Sequence, residues 1–239
     1  MEERFIRQTV LPQVGTSGQE KIEKAVVTVI GAGGLGSPVL TYLVEAGVQQ
    51  IRIIDCDVVG LSNLNRQFLH TTQDINKPKV QSAAEKLQQL NPQVRLELID
   101  QRLTVENMAE LIGAPDVVVD CLDSIAVRLL VGEYCLRHDI PLVEGGIKGF
   151  YGWVTTINRK TPCLACLGYH AEMEETGIPV LGTTAGVIGS LQANECLKLI
   201  LGAGTPLTGR MLYYDGLSGC IDEITLQINP DCPVHSKLC

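Results

Sequence analysis

Apolar residues gather along this chain in short runs separated by helical spacing. Ala25-Val26-Val27-Thr28-Val29-Ile30 has almost no polar face, so it reads as a strand buried on both sides of a parallel sheet. Ile51-Arg52-Ile53-Ile54, Val94 to Ile99, Asp116-Val117-Val118-Val119-Asp120 and Pro141-Leu142-Val143-Glu144-Gly145 predict four more strands. Helical periodicity covers Ile75 to Leu90, Val105 to Ile112 and Ala126 to Arg137, and Pro38 falls in the first turn of a helix after the first strand. Beyond Gly149 the alternation breaks. Tyr151 to Ile157 is β-rich with no crossover helix after it, and strands near Met211 to Tyr214 and Ile221 to Ile228 follow a helix over Gly186 to Ile200. The expectation is an α/β protein whose mostly parallel sheet, flanked by helices, is extended by antiparallel strands in its second half. With no repeats or linkers, residues 1–239 read as a single domain with halves 1–145 and 146–239.

The first strand empties into Gly31-Ala32-Gly33-Gly34-Leu35-Gly36 and then a helix. Glycines there let backbone amides approach a phosphate, and the helix amino end attracts anions. The next strand ends at Asp55, 24 residues after Gly31, where an acid reaches ribose hydroxyls. This is a Rossmann-like nucleotide-binding βαβ unit, and alone it points to an NAD-dependent oxidoreductase. The following polar loop, Asp57 to Gln67, carries Arg66, and Lys77-Pro78-Lys79 comes soon after. A diphosphate is served by glycine amides and a helix end; fixed cations beside them suit a triphosphate that releases pyrophosphate.

Composition narrows the setting. The net charge of −8 argues against a nucleic-acid partner, and 45% apolar content supplies a large core with no stretch long enough to span a bilayer. No charged-then-apolar leader opens the chain, so the cytoplasm is expected. Nine cysteines in such a chain read as thiols or metal ligands rather than disulfides.

Many weak motifs occur in one order: Arg4-Phe5-Ile6-Arg7-Gln8, Gly18-Gln19-Glu20, the glycine loop, Asp55-x-Asp57, Ser62-Asn63-Leu64-Asn65-Arg66-Gln67, Lys77-Pro78-Lys79, Asp120-Cys121-Leu122-Asp123, Cys163-Leu164-Ala165-Cys166 and Gly186 to Ala193. In this order the chain resembles the MoeB/ThiF/HesA adenylating enzymes, which activate the C-terminal glycine of small ubiquitin-like sulfur carriers. The resemblance implies that Arg66 and Lys79 neutralise the β- and γ-phosphates of ATP and that Asp123 holds Mg²⁺, a hard cation suited to carboxylate and phosphate oxygens. It adds Asn63 and Gln67 as hydrogen-bonding groups and Asp57 as an acid behind them. It also implies a homodimer, in which Arg7 reaches the neighbouring subunit's nucleotide. The partner would be a MoaD- or ThiS-like carrier ending in Gly-Gly, in molybdopterin, thiamine or related sulfur transfer. An oxidoreductase and a catalytically silent carrier-binding module are the alternatives.

A metal signal stands apart. Cys163-x-x-Cys166 follows the Thr161-Pro162 turn, and Cys232-Pro233-Val234-His235 lies 66 residues after Cys166. Two two-ligand knuckles make a closed tetrahedral zinc site, structural because no position stays open. Relatives usually carry C-x-x-C at both places, so His235 is a departure, with Cys239 the substitute. Between the knuckle and the next helix, Leu167 to Thr183 reads as a mobile loop over the active site, rich in Glu172, Glu174 and Glu175. Many relatives place a transfer cysteine there; this loop has none.

Overall fold

The computed structural model describes residues 3–173 and 177–237. Five parallel strands, β1 (Val26–Ile30), β2 (Gln50–Ile54), β3 (Arg95–Ile99), β4 (Val117–Asp120) and β5 (Leu142–Lys148), are continued by antiparallel β6 (Tyr151–Ile157), β7 (Arg210–Asp215) and β8 (Cys220–Thr225). They form one sheet in the order β3-β2-β1-β4-β5-β6-β7-β8. The switch to antiparallel pairing falls at Gly149, whose φ of 61° turns β5 directly into β6. This is the extended α/β sheet that the change of pattern after Gly149 predicts.

Helices α1 (Ile6–Thr9), α2 (Gly15–Lys24), α3 (Gly36–Ala46), α4 (Lys79–Leu90), α5 (Met108–Ile112), α6 (Ile125–Arg137) and α7 (Gly182–Leu201) cover the sheet. Strand alternation divides the core in two. Val27 and Val29 face Leu40, Leu43, Leu87, Ile188 and Cys196 from α3, α4 and α7. Ile30 and Val118 face Met108, Leu111, Val131 and Leu136 from α5 and α6. Thr28, the one polar residue of β1, donates its hydroxyl to Ile112 O at 3.0 Å, so its burial leaves no unmade bond.

Several boundaries differ from the periodicity. The helix expected from Ile75 begins only at Lys79, because Asn76 is left-handed (φ 71°) and Pro78 is its N-cap. The helix expected from Gly186 begins at Gly182, where Thr184 Oγ1 donates to Gly149 O at 3.0 Å. Glycine and threonines hid that first turn. Helices α1 and α2 lie in polar sequence that carries no strong period. Among the described residues no helix is long and apolar enough to cross a membrane.

Candidate nucleotide cleft and metal cluster

The carboxyl ends of β1 to β4 open into a cleft of about 580 Å³. Loops after each strand line it: Gly31 and Gly33 to Leu35 after β1, Asp55 to Asp57 after β2, Gln101 to Leu103 after β3, and Cys121 to Ile125 after β4. Arg66, Gln67 and Lys79 close one side, and Ile178 and Val180 another. Binding at the strand ends where the connections diverge is general in open α/β sheets.

The glycine loop is fixed by close contacts. Gly31 has φ 99°, and a Cβ there would lie 2.7 Å from Cys121 O. A Cβ on Gly36 would meet Gly31 O at 2.0 Å, so Gly36 packs the loop against itself and does not line the cleft. Gly33 and Gly34 do line it. Behind the loop His70 Nε2 donates to Ala32 O at 2.9 Å while Nδ1 accepts from Ser82 Oγ at 2.9 Å on α4. This assignment follows from the carbonyl, which can only accept. Burial, with Lys79 nearby, holds the His70 pKa below its ordinary value.

Asp55 accepts from Ala32 N at 2.7 Å and from Asp57 N at 2.8 Å. Burial raises its pKa, against the pull of Lys79. Each carboxylate oxygen retains a lone pair toward the cleft. Lys79, the first residue of α4, is buried and pairs with Asp57 at 2.8 Å. Arg66 donates to Ser62 O and Asn65 Oδ1, each at 2.9 Å. Gln67 is buried, and its Oε1 has no partner among the described residues. An orphaned amide oxygen on a cleft wall suits a ligand donor. Asp123 projects past β4 from a turn in which Leu122 N donates to Asp120 Oδ1 at 2.8 Å.

Two expected residues lie elsewhere. Asn63 is not in the lining; its Oδ1 accepts from Gly60 N at 2.9 Å and shapes the loop that presents Arg66. Arg7 is exposed on α1, outside the cleft of its own chain. The sequence reading missed Arg128, which lines the cleft from α6, and Glu144 beneath it. An acid amid the apolar residues of β5 was the available signal.

Away from the cleft, Cys163, Cys166, Cys232 and His235 converge, their ligand atoms all within 4.8 Å of one another. Sulfur separations are 3.8 Å (Cys163–Cys166) and 3.6 Å (Cys163–Cys232); His235 Nδ1 lies 3.7, 3.5 and 3.4 Å from Cys163, Cys166 and Cys232. Ligands on a tetrahedral zinc stand about 3.7 Å (S to S) and about 3.6 Å (S to N) apart, so the set fits. His235 Nε2 donates to Thr161 O at 3.0 Å, which leaves Nδ1 unprotonated toward the sulfurs. Burial pushes the Cys163 thiol up to about 12. At Cys232 burial is outweighed by hydrogen bonds from the His235 and Val234 backbone amides, bringing the thiol well below its ordinary value. Cys239, Glu174 and Glu175 lie outside the described residues.

The ThiF family model matches residues 5–234. The chain belongs to the ThiF family. It is 44% identical to a sulfur carrier protein adenylyltransferase of Thermus thermophilus, over 97% of this chain and 90% of that protein. It is 37% identical to the molybdopterin-synthase adenylyltransferase of Salmonella typhimurium, over 97% and 95%. The structure of Escherichia coli MccB with ATP superposes with a TM-score of 0.86 at 21% identity, covering 98% of this chain and 75% of that one, which shows the shared fold.

Proposed function

We propose that this ThiF family member is an ATP-dependent adenylyltransferase that activates the C-terminal glycine of a small ubiquitin-like sulfur carrier protein. The observation that carries the reading is the gathering of Asp55, Arg66, Gln67, Lys79 and Asp123 around one glycine loop, in a chain 44% identical to a sulfur carrier protein adenylyltransferase. A carrier carboxylate oxygen attacks the α-phosphorus of ATP. The bond from that phosphorus to the bridging oxygen breaks, and acyl-AMP and pyrophosphate result. Asp55 holds the ribose hydroxyls, and the loop amides cradle the phosphates. Arg66 and Lys79 stabilise charge on the departing pyrophosphate, where fixed donors act most strongly. Asp123 would hold magnesium, which would supply charge neutralisation for the phosphates. The enzyme contributes position and charge, with no covalent nucleophile.

The Cys163, Cys166, Cys232 and His235 cluster holds zinc as a structural clamp between the turn before α7 and the tail, with four ligands closing the sphere. The chain works as one domain, its first half binding nucleotide and its second half the carrier. Two copies form a cytoplasmic homodimer in which Arg7 serves the partner's cleft; its exposure on α1 away from its own cleft supports this. The names of the relatives weigh against an oxidoreductase and a silent module. Carrier-dependent ATP–pyrophosphate exchange tests the proposal. Exchange with a Gly-Gly-ending carrier, lost when its last glycine is removed, supports it; no exchange with MoaD-like or ThiS-like carriers overturns it.

A further inference from the structure

Asp120 and Glu144 are cross-strand neighbours in the register of β4 and β5, and both are completely buried. Residues paired this way point to the same face of the sheet. One cation answers the two carboxyls. Arg128 on α6 donates through one terminal nitrogen to Glu144 Oε2 at 2.8 Å and to Gly145 O at 2.7 Å. Its guanidinium lies 5.3 Å from the centre of the Trp153 ring. Asp120 is held from two other directions. Its Oδ1 accepts from Leu122 N at 2.8 Å, and its carbonyl accepts from Gln192 Nε2 of α7 at 2.7 Å.

Each carboxyl is left with one unpartnered oxygen. Among the described residues these are Asp120 Oδ2 and Glu144 Oε1, and Arg128 Nε and Gln192 Oε1 are unpartnered beside them. Two ionised carboxylates and one guanidinium would leave a net negative charge in a dry interior, the most costly arrangement available. We propose that Asp120 and Glu144 share a single proton between their free oxygens, forming with Arg128 a charge-balanced unit that positions the turn carrying Asp123. One proton satisfies both orphaned oxygens and brings the net charge to zero. Like-charged carboxyls in contact behave this way in other buried pairs.

The other titratable groups facing the pair do not compete for that role. Asp123 adds a further negative charge from the same turn, which favours retention of the proton. Burial holds the Cys121 and Cys135 thiols well above their ordinary range, so both stay neutral. Tyr169 interacts electrostatically with Arg128 and packs against the Trp153 ring, and it is not among the groups that act on either carboxyl. Burial likewise raises both carboxyls, opposed by Arg128, with Glu144 at about 8. In the unfolded chain a glutamate loses its proton near 4.5. Between those values the folded state binds the extra proton, so stability falls as pH rises through the window and levels off above it.

The shared proton stands independently of what the chain adenylates; its positioning role rests on the reading of the cleft as a nucleotide site. Infrared difference spectra of the full chain at neutral pH should show the carbonyl stretch of a protonated carboxyl. Asp120→Asn and Glu144→Gln should each fold, abolish that band and flatten the alkaline loss of stability, because an amide N–H then replaces the proton. The double variant should lose much of its thermal stability, with Arg128 left unpaired. Absence of the band in wild type, or its persistence in both single variants, overturns the shared proton. For positioning, Asp120→Ala should raise the KM for ATP roughly tenfold in carrier-dependent exchange, and Asp120→Asn, which keeps the acceptor for Leu122 N, should recover it. Wild-type KM in Asp120→Ala removes the positioning role. Failure of exchange in wild type condemns the adenylation reading alone and leaves the infrared result standing.

Discussion

Lys79 Nζ sits 2.8 Å from Asp57 Oδ2, and the backbone repeats the link, Lys79 N donating to Asp57 O at 2.9 Å. The lysine side chain is only 8% exposed while that of Asp57 is 62% exposed. The protein thus carries a buried ammonium whose counterion is the more open partner. Within the proposed reaction Asp57 holds the cation in place until phosphate oxygens take over. Lys79→Ala should therefore lower carrier-dependent exchange by on the order of 100-fold or more, as should Arg66→Ala and Asp123→Ala. The last two lie in loops beyond strand ends, so their melting temperatures should match wild type. Exchange within a few-fold of wild type in any of the three removes that residue from the site.

Behind the glycine loop, His70 ties Ala32 to Ser82 and so joins that loop to the helix that starts at Lys79. Only the neutral ring can accept from Ser82 Oγ while donating to Ala32 O. Because burial lowers the folded pKa, the unfolded chain takes up a proton first as pH falls below about 6.5. Stability contributed here is full above that value and declines below it. His70→Gln should weaken ATP binding more than it slows turnover at saturation, and should remove part of the acid-side fall in stability. An unchanged KM together with an unchanged acid limb would refute the bridge.

Sequence pattern revealed most of the parallel sheet because strands buried on both faces must be apolar throughout, and the β-rich run after Gly149 announced the antiparallel extension. Boundaries were less legible where local chemistry overrode periodicity, as at Asn76 and Pro78 before α4. Asp55, Arg66, Lys79 and Asp123 were readable because loop residues just past strand ends converge in any open α/β sheet. Asn63 shows the limit of motif alone: its side chain caps its own turn outside the cleft lining, and in sequence such a residue looks like one that binds a ligand. Arg128 and Glu144 stayed hidden because their partnership spans a helix and a strand, and no spacing encodes it.

The Cys163, Cys166, Cys232 and His235 cluster should bind one zinc per chain. His235 is set for the task by Thr161 O, which fixes its tautomer. His235→Ala should release zinc and lower thermal stability, His235→Cys should restore both, and Cys239→Ser should change neither. Metal analysis of the purified variants decides it. Full zinc occupancy in His235→Ala, lost in Cys239→Ser, would hand the fourth position to the terminal cysteine.

Activation should end at the acyl-adenylate, with no thioester between enzyme and carrier. A transfer cysteine has to be exposed, close to the activated carbonyl and able to ionise. Leu167 to Thr183, the segment best placed to carry one, contains none. Cys121, Cys135 and Cys196 are buried with raised pKa values, and burial keeps such thiols inert. Cys163, Cys166 and Cys232 belong to the metal cluster. That leaves Cys56, exposed at the cleft between two aspartates, Cys220, exposed on β8, and Cys239, which lies outside the described residues. Cys56 belongs to the Asp55 to Asp57 loop that the proposed reaction assigns to the ribose, and Cys220 is absent from the cleft lining. Enzyme, carrier and Mg·ATP run on a non-reducing gel should give no band at the summed mass. Cys56→Ser, Cys220→Ser and Cys239→Ser should each exchange pyrophosphate as wild type does. A thiol-sensitive conjugate that disappears with one of these substitutions would identify a covalent nucleophile and end the purely electrostatic account of the enzyme.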